Sequence, residues 1–140
     1  MGSQLSSMNK VNFEDIQWFI KEHKSFLLIN TLDASQQMCL IRGTLPINQE
    51  ETIINKHITN KNIRIIIYGR NANDESISKK YQQLGQLGFL NIYIYPGGLF
   101  EWLCLQDIYG QDSFPTTTKE LDILKFKASP QICEAYLLDN

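Results

Sequence analysis

The run Ile63-Arg-Ile-Ile-Ile-Tyr68, closed by Gly69, restricts this chain's fold more than any other segment. Isoleucine is branched at Cβ and packs best on a pleated, extended surface. Apolar side chains at consecutive positions point to opposite faces of a strand, so both faces must be covered. That is the condition of a strand inside a parallel sheet flanked by helices. Phe26-Leu-Leu-Ile29 is a second short apolar run, and Ile92-Tyr-Ile-Tyr95 a third. The intervening segments switch to helical spacing. Asn12 caps a helix carrying Asp15 at its third position and Phe13, Ile16 and Ile20 on one face. Asn48-Gln-Glu-Glu51 reads as a capping box ahead of Ile53, Ile54, His57 and Ile58. Ile77, Tyr81, Leu84 and Leu87 form a helical stripe that Gly88 ends with a left-handed cap. Pro96-Gly-Gly98 turns the chain into a helix from Leu99 to about Tyr109 that is apolar around most of its circumference. Alternating strands and helices predict a three-layer α/β domain, a central parallel sheet with helices on both faces.

The 140 residues suit one domain, and a hydrophobic content of 43% allows a sizeable core. A net charge of −2 supplies no basic field, which argues against nucleic-acid binding. Cys39, Cys104 and Cys133 are odd in number and widely spaced. They form neither a disulfide framework nor a zinc pattern, so a reducing, intracellular and cytoplasmic setting is expected, with no metal and no cofactor. His23 and His57 are isolated. No stretch approaches the roughly 20 apolar residues of a membrane-spanning helix. The N-terminus reads Met-Gly-Ser-Gln-Leu-Ser, with Gly2 and Ser6 where an N-myristoylation signal needs them. The alternative is an appended leader with the native start at Met8. If Gly2 is acylated, membrane attachment should be weak or switchable, because one acyl chain binds marginally and Lys10 is the sole lysine nearby.

Between residues 62 and 102 the elements Ile65-Ile-Ile-Tyr68, Gly88-Phe-Leu-Asn-Ile-Tyr93, Gly97-Gly98 and Trp102 follow one another in a specific order. Upstream lie Phe26-Leu-Leu-Ile-Asn30 and Cys39-Leu-Ile-Arg-Gly-Thr44. From about residue 11 to residue 110 the chain thereby resembles the rhodanese superfamily, shared by sulfurtransferases and the cell-cycle dual-specificity phosphatases. The resemblance implies a rhodanese-like domain over 11–118, a flexible arm over 1–10 and a C-terminal tail over 119–140.

The departures from the family pattern fall on its chemistry. Gly69 stands where the resemblance puts the catalytic cysteine, and Asp74 where many sulfurtransferases carry an arginine. Asn30, Leu32 and Leu40 replace an aspartate, an arginine and a histidine. Sulfur transfer needs a thiolate held by N–H groups and positive charge. The loop Gly69, Arg70, Asn71, Ala72, Asn73, Asp74 and Glu75 offers no nucleophile and two added carboxylates. No catalytic residue is therefore expected. The implied function is a non-catalytic binding or scaffold module, a structural subunit of a larger protein assembly, with other proteins as partners. Phe126 and Tyr136 in the aperiodic tail are the candidate aromatic anchors. A thiosulfate sulfurtransferase or phosphatase-like enzyme using a displaced nucleophile is the alternative. A third reading keeps the loop and Arg70 as an anion sensor without turnover.

Overall fold

The computed structural model describes residues 7–133. Leu27–Asn30 (β1), Arg64–Tyr68 (β2) and Asn91–Tyr95 (β3) form a parallel sheet in the order β1-β2-β3, with Leu28, Ile66 and Tyr93 in one register row. Phe13–Lys21 (α1) precedes β1, and Ile47–Lys56 (α2) and Ser76–Gln86 (α3) are the two crossovers. Gly98–Tyr109 (α4) follows β3. Crossovers of one hand running in one direction put their helices on the same face of a sheet.

Alternation along the strands then sorts the core into two halves. Leu27, Ile29, Ile65, Ile67, Ile92 and Ile94 meet Ile54 of α2 and Ile77 and Leu84 of α3. Leu28, Ile66, Tyr68 and Tyr95 point the other way, onto Ile16 of α1 and Leu99, Trp102 and Leu103 of α4. Ile65, Ile66 and Ile67 are each 0% exposed, as expected of a central strand covered on both sides. The three-layer architecture read from the sequence is the observed one.

Two helix starts test the capping expectations. Asn12 Oδ1 accepts from the N–H groups of Glu14 at 2.9 Å and Asp15 at 3.2 Å, and Asp15 Oδ2 accepts from Asn12 N–H at 3.1 Å. That reciprocal pair completes the expected box. The Asn48–Glu51 box does not form, because α2 already begins at Ile47 after Pro46. Pro46 is the N-cap, with extended backbone, and its missing N–H costs no helical hydrogen bond there.

Both sheet edges are occupied, and this corrects the end of the expected flexible arm, at residues 8–10. Ile94 N–H donates to Asn9 O at 2.8 Å and Val11 N–H to Ile94 O at 2.9 Å, making Lys10 a parallel bridge on the outer side of β3. Met8 is buried in the half-core on the α2 and α3 side. Residues 8–10 therefore belong to the domain: β3 presents unpaired backbone groups, and pairing them blunts the edge. At the opposite edge Leu45 N–H donates to Leu28 O at 2.8 Å.

The C-terminal segment also packs onto the domain. Thr116 bridges Ile41, with Arg42 N–H donating to Pro115 O at 3.0 Å and Thr117 N–H to Leu40 O at 2.8 Å. Trp102 Nε1 donates to Pro115 O at 3.2 Å, and its ring meets Phe114 edge to face. A 3-10 turn at Ile123–Phe126 then lies against α4. Phe126 is 1% exposed in the same half-core as Trp102, so it is an internal anchor and not a surface available to a partner. The core thus reaches beyond residue 118, to Phe126 at least. The tail covers only part of α4, since Ile108 and Tyr109 are 70% and 65% exposed. Gly2 and Tyr136 lie outside the described residues. Among the described residues no helix is long and apolar enough to cross a membrane.

Candidate functional site

Parallel α/β sheets place their sites at the carboxyl ends of the strands, where loops lead into helix N-termini. Here β1 ends at Asn30-Thr31, β2 runs into Gly69–Glu75, and β3 into Gly97-Gly98. Thr31 N–H donates to Tyr68 O at 2.9 Å, which ties the first two ends together. Gly98 has φ 66, and a Cβ there would come within 2.7 Å of Gly69 O and 2.9 Å of Asn71 N. Only glycine fits that approach. It lets Leu99 and Phe100 in the first turn of α4 donate to Gly69 O and Arg70 O, each at 2.9 Å.

The head of the loop is filled from within. A Cβ on Gly69 would overlap Asp74 Oδ2 and lie 2.8 Å from Thr31 Oγ1 and 2.9 Å from Asp74 Cγ. The Asp74 carboxylate is held by Arg70 N–H at 2.9 Å on Oδ2. Oδ1 accepts from Ser76 N–H at 3.0 Å and lies 2.5 Å from Ser76 Oγ. Ser76 Oγ is also 2.7 Å from Thr31 Oγ1, so the two hydroxyls and the carboxylate form one chain across the strand ends. The Ser76 N–H contact is the turn that aspartate makes with the backbone two residues on, just before α3.

The outer side of the loop is fastened to the C-terminal segment. Arg70 Nη2 donates to Lys125 O at 2.7 Å, and Asn71 Nδ2 to Phe126 O at 2.8 Å, while Asn71 Oδ1 accepts from Asn73 N–H at 2.9 Å. Arg70 Nε is buried without a hydrogen-bond partner among the described residues. Ala72, Asn73 and Glu75 are exposed. Of the loop residues singled out from the sequence, Gly69, Arg70, Asn71 and Asp74 are thus brought together.

The remaining family positions serve packing. Asn30 is 3% exposed, and its Oδ1 accepts from Leu32 N–H at 3.0 Å and Gln37 Nε2 at 2.8 Å. Leu32 and Leu40 are core residues. Sequence reasoning missed Thr31, Ser76 and the carbonyls of Lys125 and Phe126. The Asp-Glu-Ser spacing at 74–76 carried a signal for Ser76, because aspartate two residues ahead of a helix start favours such a turn. Nothing local could mark the others.

The three cysteines lie outside the loop after β2. Cys39 is buried, with Sγ 3.3 Å from Thr118 O. Burial pushes the Cys104 thiol up from its ordinary value, and the charges of Asp107 and Glu101 push it further, the reverse of activation. Cys133 is exposed. His57 Nδ1 lies 2.9 Å from Ile53 O, on its own helix. Among the described residues no group of three or more His, Cys, Asp or Glu could hold a metal ion.

A parallel sheet with helices on both faces, a loop leading from its central strand into a helix and a Gly-Gly entry into the helix after β3 define a rhodanese-type α/β domain. The family model for the rhodanese-like domain matches residues 29–104, and the chain belongs to this family. Among solved structures it is similar to the Alr3790 protein from Anabaena sp., at 21% identity and TM-score 0.56, over 82% of this chain and 97% of that one. A yeast protein tyrosine phosphatase of the rhodanese family superposes with TM-score 0.54 at 11% identity, over 82% of this chain and 95% of that one. Thiosulfate sulfurtransferase from Pseudomonas aeruginosa superposes with TM-score 0.56 at 18% identity, over 68% of this chain but 18% of that one. At such identities these likenesses speak to the fold alone. A comparison with curated proteins found no match.

Proposed function

We propose that this chain is a non-catalytic rhodanese-like module that acts by binding other proteins within a larger assembly. One observation carries the reading: the head of the loop after β2 has no nucleophile, and the Asp74 carboxylate stands where a side chain there would begin. The space a side chain at Gly69 would enter holds Asp74 Oδ2 and Thr31 Oγ1. A thiolate and an anionic substrate would both meet the Asp74 carboxylate, and like charge in a confined site disfavours each.

Protein partners are favoured over small ligands by the exposed large apolar side chains. Ile108, Tyr109, Leu121 and Leu124 are each more than 60% exposed, and all lie on α4 or on the segment that follows it. They take the place of Phe126 as candidates for a partner surface.

The test is direct. Purified protein is incubated with thiosulfate and cyanide, and separately with p-nitrophenyl phosphate, and then examined by intact-mass analysis. No thiocyanate, no phenolate release and no labile sulfur adduct are expected. Turnover together with an adduct on Cys39, Cys104 or Cys133 would overturn the reading in favour of a displaced nucleophile.

A further inference from the structure

We propose that the outward ridge of α4, formed by Phe100, Cys104 and Ile108 between Glu101 and Asp107, is a docking site for a basic amphipathic helix of a partner protein. The inference rests on the reading of the chain as a protein-binding module and names the chemistry of the partner.

The ridge follows from helix geometry, since residues four apart on a helix stand one above the other. Leu99, Trp102 and Leu103 are buried and mark the inward side of α4. Phe100, Cys104 and Ile108 line the far side, the first two half-buried and Ile108 70% exposed. A surface helix ordinarily carries polar residues there. Leu121 and Leu124, on the segment that packs along the helix, are exposed as well. Leu121 also lines a cavity of about 340 Å³ with Leu103, Asp107 and Ile123.

Charge selects the occupant. Glu101 and Asp107 stand three residues before and after Cys104, which sets one on each side of the ridge. Both charges push the Cys104 thiol up, as carboxylates close to it would. α4 contains no lysine or arginine. Neither carboxylate belongs to the ion pairs found among the described residues, which join Lys80 to Glu50 and Lys125 to Glu120. Glu101 accepts from the Tyr95 hydroxyl at 2.7 Å, a neutral donor that leaves its charge in place. An apolar ridge with an acidic border on both sides is complementary to a helix whose apolar stripe is bordered by lysine or arginine. A second copy of this chain is disfavoured by the same residues, because two α4 ridges laid together set carboxylate against carboxylate.

The full chain is titrated, by fluorescence anisotropy, into a labelled amphipathic peptide of leucine and lysine, about 18 residues long so that it can hold a helix. The control is the same peptide with glutamate in place of lysine. Saturable binding of the lysine peptide alone is expected, weakened by salt. Asp107→Lys and Ile108→Ser, both at exposed positions, should each weaken it about tenfold. Glu51→Lys makes the same change of net charge on α2, across the sheet, and should leave binding unchanged. No binding, equal binding of the two peptides, or an equal loss in Glu51→Lys and Asp107→Lys overturns the proposal. A dimer in sedimentation equilibrium that Ile108→Ser dissolves overturns it in favour of a second copy. Flotation with phosphatidylcholine vesicles that the same variant abolishes overturns it in favour of a lipid surface. Turnover in the thiosulfate or p-nitrophenyl phosphate assay would instead overturn the non-catalytic reading, so the two failures are distinguishable.

Discussion

Gly69 and Asp74 exclude one another's side chains: a Cβ at position 69 would overlap the Oδ2 atom of Asp74. Two residues that look independent in the sequence are therefore one steric arrangement. Gly69→Ala should cost about 1–3 kcal/mol by overpacking. The double variant Gly69→Ala/Asp74→Gly should recover part of that loss, a coupling readable in a double-mutant cycle by denaturant unfolding. Additive effects would mean that the two positions do not compete for space. By the same geometry, Gly69→Cys alone should not confer sulfurtransferase activity in the thiosulfate and cyanide assay.

Ile66 is the test of the sheet. It sits in the middle of β2, paired with Leu28 on one side and Tyr93 on the other, and is 0% exposed. Ile66→Ala should destabilise by about 2–5 kcal/mol in denaturant unfolding. A loss well below 1 kcal/mol would show that this strand is not central.

Phe126 tests whether the C-terminal segment is structural. Phe126→Ala should cost about 3–5 kcal/mol, because a fully buried ring is removed from the α4 side of the core. The same substitution should raise hydrogen exchange at Arg70 and Asn71, whose side chains donate to the Lys125 and Phe126 carbonyls. Deleting residues 119–140 should lower stability for the same reason. Unchanged stability on deletion would make the segment dispensable to the fold.

Two buried tyrosines set an alkaline limit. Burial raises the Tyr68 hydroxyl above its ordinary value, with the Cys39 charge adding to the rise, although bonds to Thr44 and Ile41 N–H partly oppose it. Tyr95 is raised by burial, by its hydrogen bond to Glu101 and by the Glu101 charge. In the unfolded chain both ionise near pH 10. Below that pH both states are protonated and this contribution to stability is fully present. Above it the unfolded state loses protons first, so stability should fall as pH rises. Tyr68→Phe should flatten that decline. It should also cost about 1–3 kcal/mol at neutral pH, since Ile41 N–H loses its 3.2 Å acceptor. Urea titrations across about pH 8–11, a range that brackets the free tyrosine value, would check both effects.

The cysteines should react in the order of their access. Cys133 is exposed and should be alkylated first, Cys104 slowly because burial disfavours its thiolate, and Cys39 only on unfolding. Peptide mapping after timed alkylation reads the order directly. Early labelling of Cys39 would show that the segment around Thr118 opens easily.

What the sequence by itself determined was whatever is written in local period and composition. Ile65, Ile66 and Ile67 require a strand covered on both faces, Asn12 and Asp15 cap a helix, and Gly88, with φ 93, ends one. The glycine that heads the loop after β2 was equally legible, because it is a matter of residue type within a recognisable order of elements. Only the tertiary structure decided that the Asp74 carboxylate occupies the space above Gly69, that Thr31 and Ser76 join it, that Met8 and Lys10 close the sheet edge, and that Phe126 faces inward. The Asn71 and Phe126 partners are 55 residues apart along the chain. Helical and strand periods are set by backbone geometry over a few neighbours. A contact across such a separation exists only when packing brings two elements together, and no local pattern in either one records the other.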